Sequence, residues 1–159
     1  MKFTTIFNEE IEVPCAGCVV MDETKFKQGR IYQTKLFDIS QDFEIALPGM
    51  MVISPMRHVS NFADLTDEER AELNVLTIKC KQALSELWSI KQLSYQFYEK
   101  PNGHVHFVII PLWDWFEYKN KYGILAELME QIPTLRKDEK NMQQVVEYIN
   151  KLKKWFEEN

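Results

Sequence analysis

Hydrophobic positions along this 159-residue chain change period several times, and each change marks an element. Short β-type runs occur at residues 29–36 (GRIYQTKL), 43–47 (FEIAL) and 50–54 (MMVIS), the last two separated by Pro48-Gly49. They predict a meander of antiparallel strands. Thr66-Asp67-Glu68-Glu69 then has the form of a capping box. Behind it Leu73, Leu76, Cys80, Leu84 and Leu87 recur at steps of three and four, with Trp88 alongside. This predicts an amphipathic helix that carries Cys80 as a small core residue. The runs at 94–99 and 104–110 flank Lys100-Pro101-Asn102-Gly103, which has turn chemistry, and Pro111 ends the second strand of that hairpin.

Beyond Pro111, residues 112–116 (LWDWF) form an aromatic cluster that reads as core or dimer packing. Residues 123–132 predict a short helix stopped by Pro133. A longer helix is expected from about Asp138, with Met142, Val145, Val146, Ile149, Leu152 and Phe156 as its apolar stripe and Lys151, Lys153 and Lys154 solvated near its C-terminus. No repeat or linker interrupts the pattern. The expectation is one α+β domain: an antiparallel sheet of about five strands with a packed helix, a core at 15–111 and a helical C-terminal extension at 112–159.

Composition narrows the choice of partner. Nineteen Lys and Arg against 24 Asp and Glu leave a formal charge of -5, a field that repels phosphate backbones and anionic lipid. Nucleic acid and membrane surfaces are therefore not expected partners, although a few placed donors can still hold one small phosphorylated ligand. The opening MKFTTIFNEEIEV has no long apolar run, and no stretch approaches a membrane span, so a soluble cytoplasmic protein is expected. Three cysteines, an odd number, argue against a disulfide framework.

Those cysteines and the three histidines carry the chemistry. In His104-Val105-His106-Phe107-Val108 alternate side chains share a face of a strand, which predicts His104, His106 and Val108 on one side. Cys15-Ala16-Gly17-Cys18 is a CxxC turn whose thiolates can reach one tetrahedral zinc at about 2.3 Å. A redox CxxC normally opens a helix after a strand, whereas Val19-Val20-Met21 reads as extended. Zinc is preferred over a redox or regulatory thiol module, and its other two ligands must come from three histidines.

At this point the residues resemble a family. Pro48-Gly49-Met50-Met51-Val52-Ile53-Ser54-Pro55-Met56-Arg57-His58, followed by Asp64-Leu65-Thr66-Asp67-Glu68-Glu69, is similar to the "pGhxLvxPkrH … dLtdeE" stretch of histidine-triad (HIT) proteins. HVHFVIIP resembles their H-x-H-x-H-x-x-P strand, and the likeness runs from Cys15 to Pro111 in the family's order. It implies a HIT-like fold and, by analogy with the zinc-containing branch, a structural Zn²⁺ held by Cys15, Cys18, His58 and His104. His106 is then the nucleophile, its ring held by the main-chain oxygen of His104. It attacks the α-phosphorus of a nucleoside phosphate ester, dinucleoside polyphosphate or phosphoramidate to form a nucleotidyl-histidine. A homodimer is also implied, as is an acidic residue on the ribose, either Asp38 or Asp42.

One departure stands out. The third triad position, histidine or glutamine in the family, is Val108 here, and loss of such a donor costs on the order of 100- to 1000-fold in rate. Lys100 and Asn102 are the nearest candidates in sequence for substrate binding in its place. The alternative function is a weakened or inactive zinc-stabilised nucleotide-binding or interaction protein.

Overall fold

A computed structural model describes residues 1–22, 24–99, 103–114 and 123–159. Strands β1 (Lys2–Thr4) and β2 (Glu10–Glu12) pair antiparallel, a small ribbon that the hydrophobic pattern did not single out. A 3₁₀ turn at Ala16–Met21 leads to β3 (Arg30–Gln33), β4 (Phe37–Gln41) and β5 (Met51–Pro55). Helix α1 (Asp67–Trp88) precedes the hairpin β6 (Leu93–Tyr98) and β7 (His106–Pro111), and α2 (Ile124–Lys137) and α3 (Glu139–Glu158) follow. The main sheet has the order β3-β4-β5-β7-β6 with every pair antiparallel, so the expected α+β class and five-stranded sheet are observed.

Strand alternation sorts the core into two layers. On one face Phe37, Ile39, Met51, Ile53 and Ile109 are sealed under Leu73, Leu76, Cys80 and Leu84 of α1 and Val145, Ile149 and Phe156 of α3. Each such aliphatic or aromatic side chain contributes about 1.5–3 kcal/mol of transfer free energy. The capping box of α1 is complete, with Thr66 Oγ1 accepting from the Glu69 amide and Glu69 accepting from the Thr66 amide. Burial pushes the Cys80 thiol up and keeps it protonated, in keeping with a core role. On the other face Val108 and Ile110 meet Ile45, Leu47 and Met50 and, from α2, Ile124 and Leu128. Trp113 caps this end, its indole N–H donating to the Pro48 carbonyl and its ring lying 5.6 Å from that of Tyr148; the rest of the aromatic cluster, from 115 on, is outside the described residues.

Several local expectations change. Residues 43–47 are a loop, not a strand, because side chains take the hydrogen bonds a ladder would have made: Gln41 donates to the Ile45 and Leu47 carbonyls, and Asp42 accepts from the Glu44 and Ile45 amides. The run at 29–36 breaks at Thr34, whose hydroxyl accepts from the Leu36 and Phe37 amides and turns the chain into β4. Val19-Val20-Met21 lies in the 3₁₀ turn rather than in extended chain, with the Cys18 amide donating to the Cys15 carbonyl. His104 lies just before β7, where the Val105 amide bonds the Val59 carbonyl, so it is not part of a shared strand face with His106 and Val108.

Helix α2 runs through Pro133 to Lys137. Arg136 ties the turn beyond the proline to the Glu44 and Thr4 carbonyls, which offsets the missing amide bond. The long C-terminal helix is capped by Asp138, as expected, but its buried stripe uses Trp155 and leaves Val146 outside. Among the described residues, no helix is long and apolar enough to cross a membrane.

Candidate metal centre and adjoining cavity

Four residues far apart in sequence arrive at one corner beside the entry to β7. The ligand atoms of Cys15, Cys18, His58 and His104 all lie within 4.8 Å of one another. Cys18 Sγ is 3.1 Å from His58 Nδ1 and 3.7 Å from His104 Nδ1, and Cys15 Sγ is 3.5 Å from His58 Nδ1. The two sulfurs are 2.9 Å apart, in hydrogen-bond contact and not joined in a disulfide.

The donor chemistry fits zinc. His104 Nε2–H donates to the Pro55 carbonyl at 2.8 Å, which fixes the tautomer and turns the Nδ1 lone pair to the cluster, the second-shell arrangement typical of a ligating histidine. Burial pulls this imidazole down to about 4, so it is neutral. Burial and then the neighbouring Cys15 sulfur push the Cys18 thiol up to about 11. A cation at the centre is what would draw the sulfurs into their thiolate forms. Two sulfurs and two imidazole nitrogens match the donor types and number of a four-coordinate zinc site.

Two supports of this corner were not picked out from the sequence. A Cβ on Gly17 would lie 2.4 Å from His104 Cβ and 2.7 Å from Cγ, so only glycine lets the turn pack against that ring. Arg57, next to His58, forms a two-pronged ion pair with Glu69, both bonds 2.7 Å, and also reaches the Asp64 carbonyl. Glu69 belongs to the capping box, so the start of α1 anchors the segment that presents His58. The signal was present in the Arg57-His58 and Thr66-x-x-Glu69 spacing, but only the fold joins the two.

His106 faces a cavity of about 320 Å³ on the second face of the sheet, with Tyr98, Val108, Ser54, Val52 and Asp42 among its lining. Its Nδ1–H donates to the His104 carbonyl at 2.9 Å, which fixes the orientation of the ring. The Tyr98 ring lies nearly parallel to the imidazole, with centroids 5.3 Å apart at 16°. Val108 lies between Val52 and Gln96 in the sheet register.

The two acids diverge. Asp38 is sealed off, its Oδ1 taken by Arg30 at 2.6 Å and its Oδ2 by the Ser40 hydroxyl, and desolvation still leaves its carboxyl above the usual range. Arg30 also donates to the Val20 carbonyl, linking β3 to the CxxC turn. Asp42 lines the cavity, and desolvation raises it to about 6. Lys100 and Asn102 lie outside the described residues.

No family model and no curated protein matches the chain. Solved structures do. A zinc-bound histidine triad family protein from Mycobacterium smegmatis is 14% identical, with a TM-score of 0.62 over 91% of this chain and 97% of that one. A Plasmodium falciparum diadenosine triphosphate hydrolase, solved with Cyclomarin A, is 17% identical, with a TM-score of 0.60 over 99% of this chain and 86% of that one. A uridylyltransferase is 23% identical, with a TM-score of 0.59 over 91% of this chain but 45% of that one. At these identities the likeness establishes the architecture: the chain has the histidine-triad fold.

Proposed function

We propose that the protein is a nucleotidyl hydrolase or transferase of the histidine-triad type, with Zn²⁺ held by Cys15, Cys18, His58 and His104 and with His106 as its nucleophile. The observation that carries this reading is the hydrogen bond from His106 Nδ1–H to the His104 carbonyl. It holds the ring by one nitrogen beside a cavity that the ring lines, the arrangement a nucleophilic imidazole needs, while the residue supplying the carbonyl has its own ring in the Cys/His cluster. The bound zinc would serve the reaction only by holding that backbone still. A neutral, cysteine-bearing site of this kind suits a reducing cytoplasmic setting.

Asp42 is the better placed of the two acids to meet a substrate hydroxyl pair, since both oxygens of Asp38 are already engaged. The test is His106→Ala, assayed against a panel of nucleoside phosphate esters, dinucleoside polyphosphates and phosphoramidates with zinc measured in parallel. Turnover should fall by at least about 1000-fold with zinc content unchanged. An unaltered rate rejects the assignment.

Val108 supports a second reading, a nucleotide-binding protein without turnover. No Lys or Arg is present among the described cavity-lining residues, and Asp42 and Glu44 are. Binding with no nucleotidylated species by intact-mass spectrometry would favour it.

A homodimer belongs to the same proposal. Edge strand β6 turns Tyr95 (53% exposed) and Phe97 (43%) outward, where Phe97 meets Phe62 and Phe107, and α1 exposes Val75 (51%) and Ile78 (52%). Exposed aromatic and aliphatic side chains on and near an edge strand favour association. Tyr95→Lys with Phe97→Glu should halve the mass seen by sedimentation; a monomeric parent protein would dismiss the pairing.

A further inference from the structure

The sheet register puts a polar pair directly across from the two positions that matter most on β7. In the β6–β7 ladder Tyr98 opposes His106 and Gln96 opposes Val108, so all four side chains rise on the same face. Tyr98 stacks on the His106 ring, and its hydroxyl donates to Gln96 Oε1. That bond turns the phenol back along β6, toward the residue facing Val108. Tyr98 and Val108 both line the cavity into which His106 looks.

We propose that Tyr98, oriented by Gln96, is the proton donor to the leaving group in place of the donor that Val108 cannot supply. The inference rests on the nucleotidyl-transfer reading above and names the acid within it. As His106 Nε2 forms a bond to the α-phosphorus, the bridging P–O bond breaks. The leaving oxygen takes that electron pair together with the Tyr98 proton. A water oxygen then attacks phosphorus and gives a proton to the tyrosinate, and the N–P electron pair returns to Nε2. A half-turn of the Gln96 amide presents its N–H to the phenol oxygen, which frees the phenol O–H to point at the ligand. Partial burial holds the Tyr98 hydroxyl above its ordinary range, so it enters the first step protonated. Gln96 touches no reacting atom and acts as a positioning residue.

The decisive comparison uses phenyl and 2,4-dinitrophenyl esters of adenosine and uridine 5′-monophosphate, because phenolate departs with a proton and dinitrophenolate departs without one. Tyr98→Phe keeps the ring stacked on His106. It should lose about 100-fold or more on the phenyl esters, the usual scale for a removed general acid, and only a few-fold on the dinitrophenyl esters. Gln96→Leu should show the same leaving-group dependence with a smaller loss, and adding Val108→His to Tyr98→Phe should recover phenyl-ester turnover. Equal losses on both esters, or no loss, would overturn the role of Tyr98 while leaving His106 as the nucleophile. A parent protein that cleaves neither ester and forms no adduct would remove the transfer reading and this inference with it. Should Tyr98→Phe fail to fold, Gln96→Leu decides the matter alone through the same leaving-group dependence.

Discussion

The metal corner and the His106 cavity are two residues apart on one stretch of chain, yet they are built in opposite ways. The corner has a complete donor set, a fixed tautomer at His104, a glycine pressed against that ring and an ion pair behind His58. The cavity has the His106 ring tied to the His104 carbonyl, but valine at position 108 and carboxylates in its wall. A metal site needs every ligand at once, since each missing one leaves a buried polar group unpaired. A reacting site can spread its demands over neighbouring strands, so one lost side chain there need not undo the arrangement.

Removing a ligand should break the contrast most severely. Cys18→Ser or His58→Ala should lose zinc and more than about 4 kcal/mol of stability, the range typical of losing a structural metal. Turnover should fall with it, because the His104 carbonyl that holds His106 is released. Metal analysis with thermal unfolding checks this, and retention of full activity in a zinc-free variant would separate the two regions.

Arg57→Ala should act more mildly, costing about 1–2 kcal/mol, since Arg57 is half exposed while its partner Glu69 is buried. Arg57 holds the Glu69 carboxyl below its ordinary range. The pair's contribution is therefore complete above the ordinary carboxylate pKa and fades as the pH falls through the depressed one. The gap between parent and variant should close in acid; a gap independent of pH would mean that the ion pair is not what anchors the His58 segment.

Asp42 has the opposite sign. Its carboxyl is raised to about 6, so its contribution is intact below the ordinary value near 4 and is lost as the pH rises through 6. Asp42→Asn keeps an oxygen for the Glu44 and Ile45 amides and should gain on the order of 1 kcal/mol at pH 8, discounted because Asp42 is only partly buried and lines a cavity. That gain should vanish near pH 4. Denaturant unfolding at the two pH values measures it, and a loss at pH 8 would show that the charge is held for a ligand.

Sequence alone determined the features that depend on near neighbours. The capping box and stripe of α1, the Asp138 start of α3, the core role of Cys80 and the two ends of the β6–β7 hairpin follow from residues within a few positions of one another. The CxxC spacing pointed to a zinc-type turn, while the choice of His58 and His104 beside it came from the resemblance to histidine-triad proteins; the fold brings all four ligand atoms within 4.8 Å of one another. Tertiary structure decided what depends on distant partners: that residues 43–47 satisfy their backbone through Gln41 and Asp42, that α2 passes Pro133 because Arg136 is tied elsewhere, and that Asp38 is taken by Arg30 while Asp42 reaches the cavity. It also decided that Tyr98 and Gln96 stand across from His106 and Val108, since cross-strand register is set by the whole sheet and no local run of sequence encodes it.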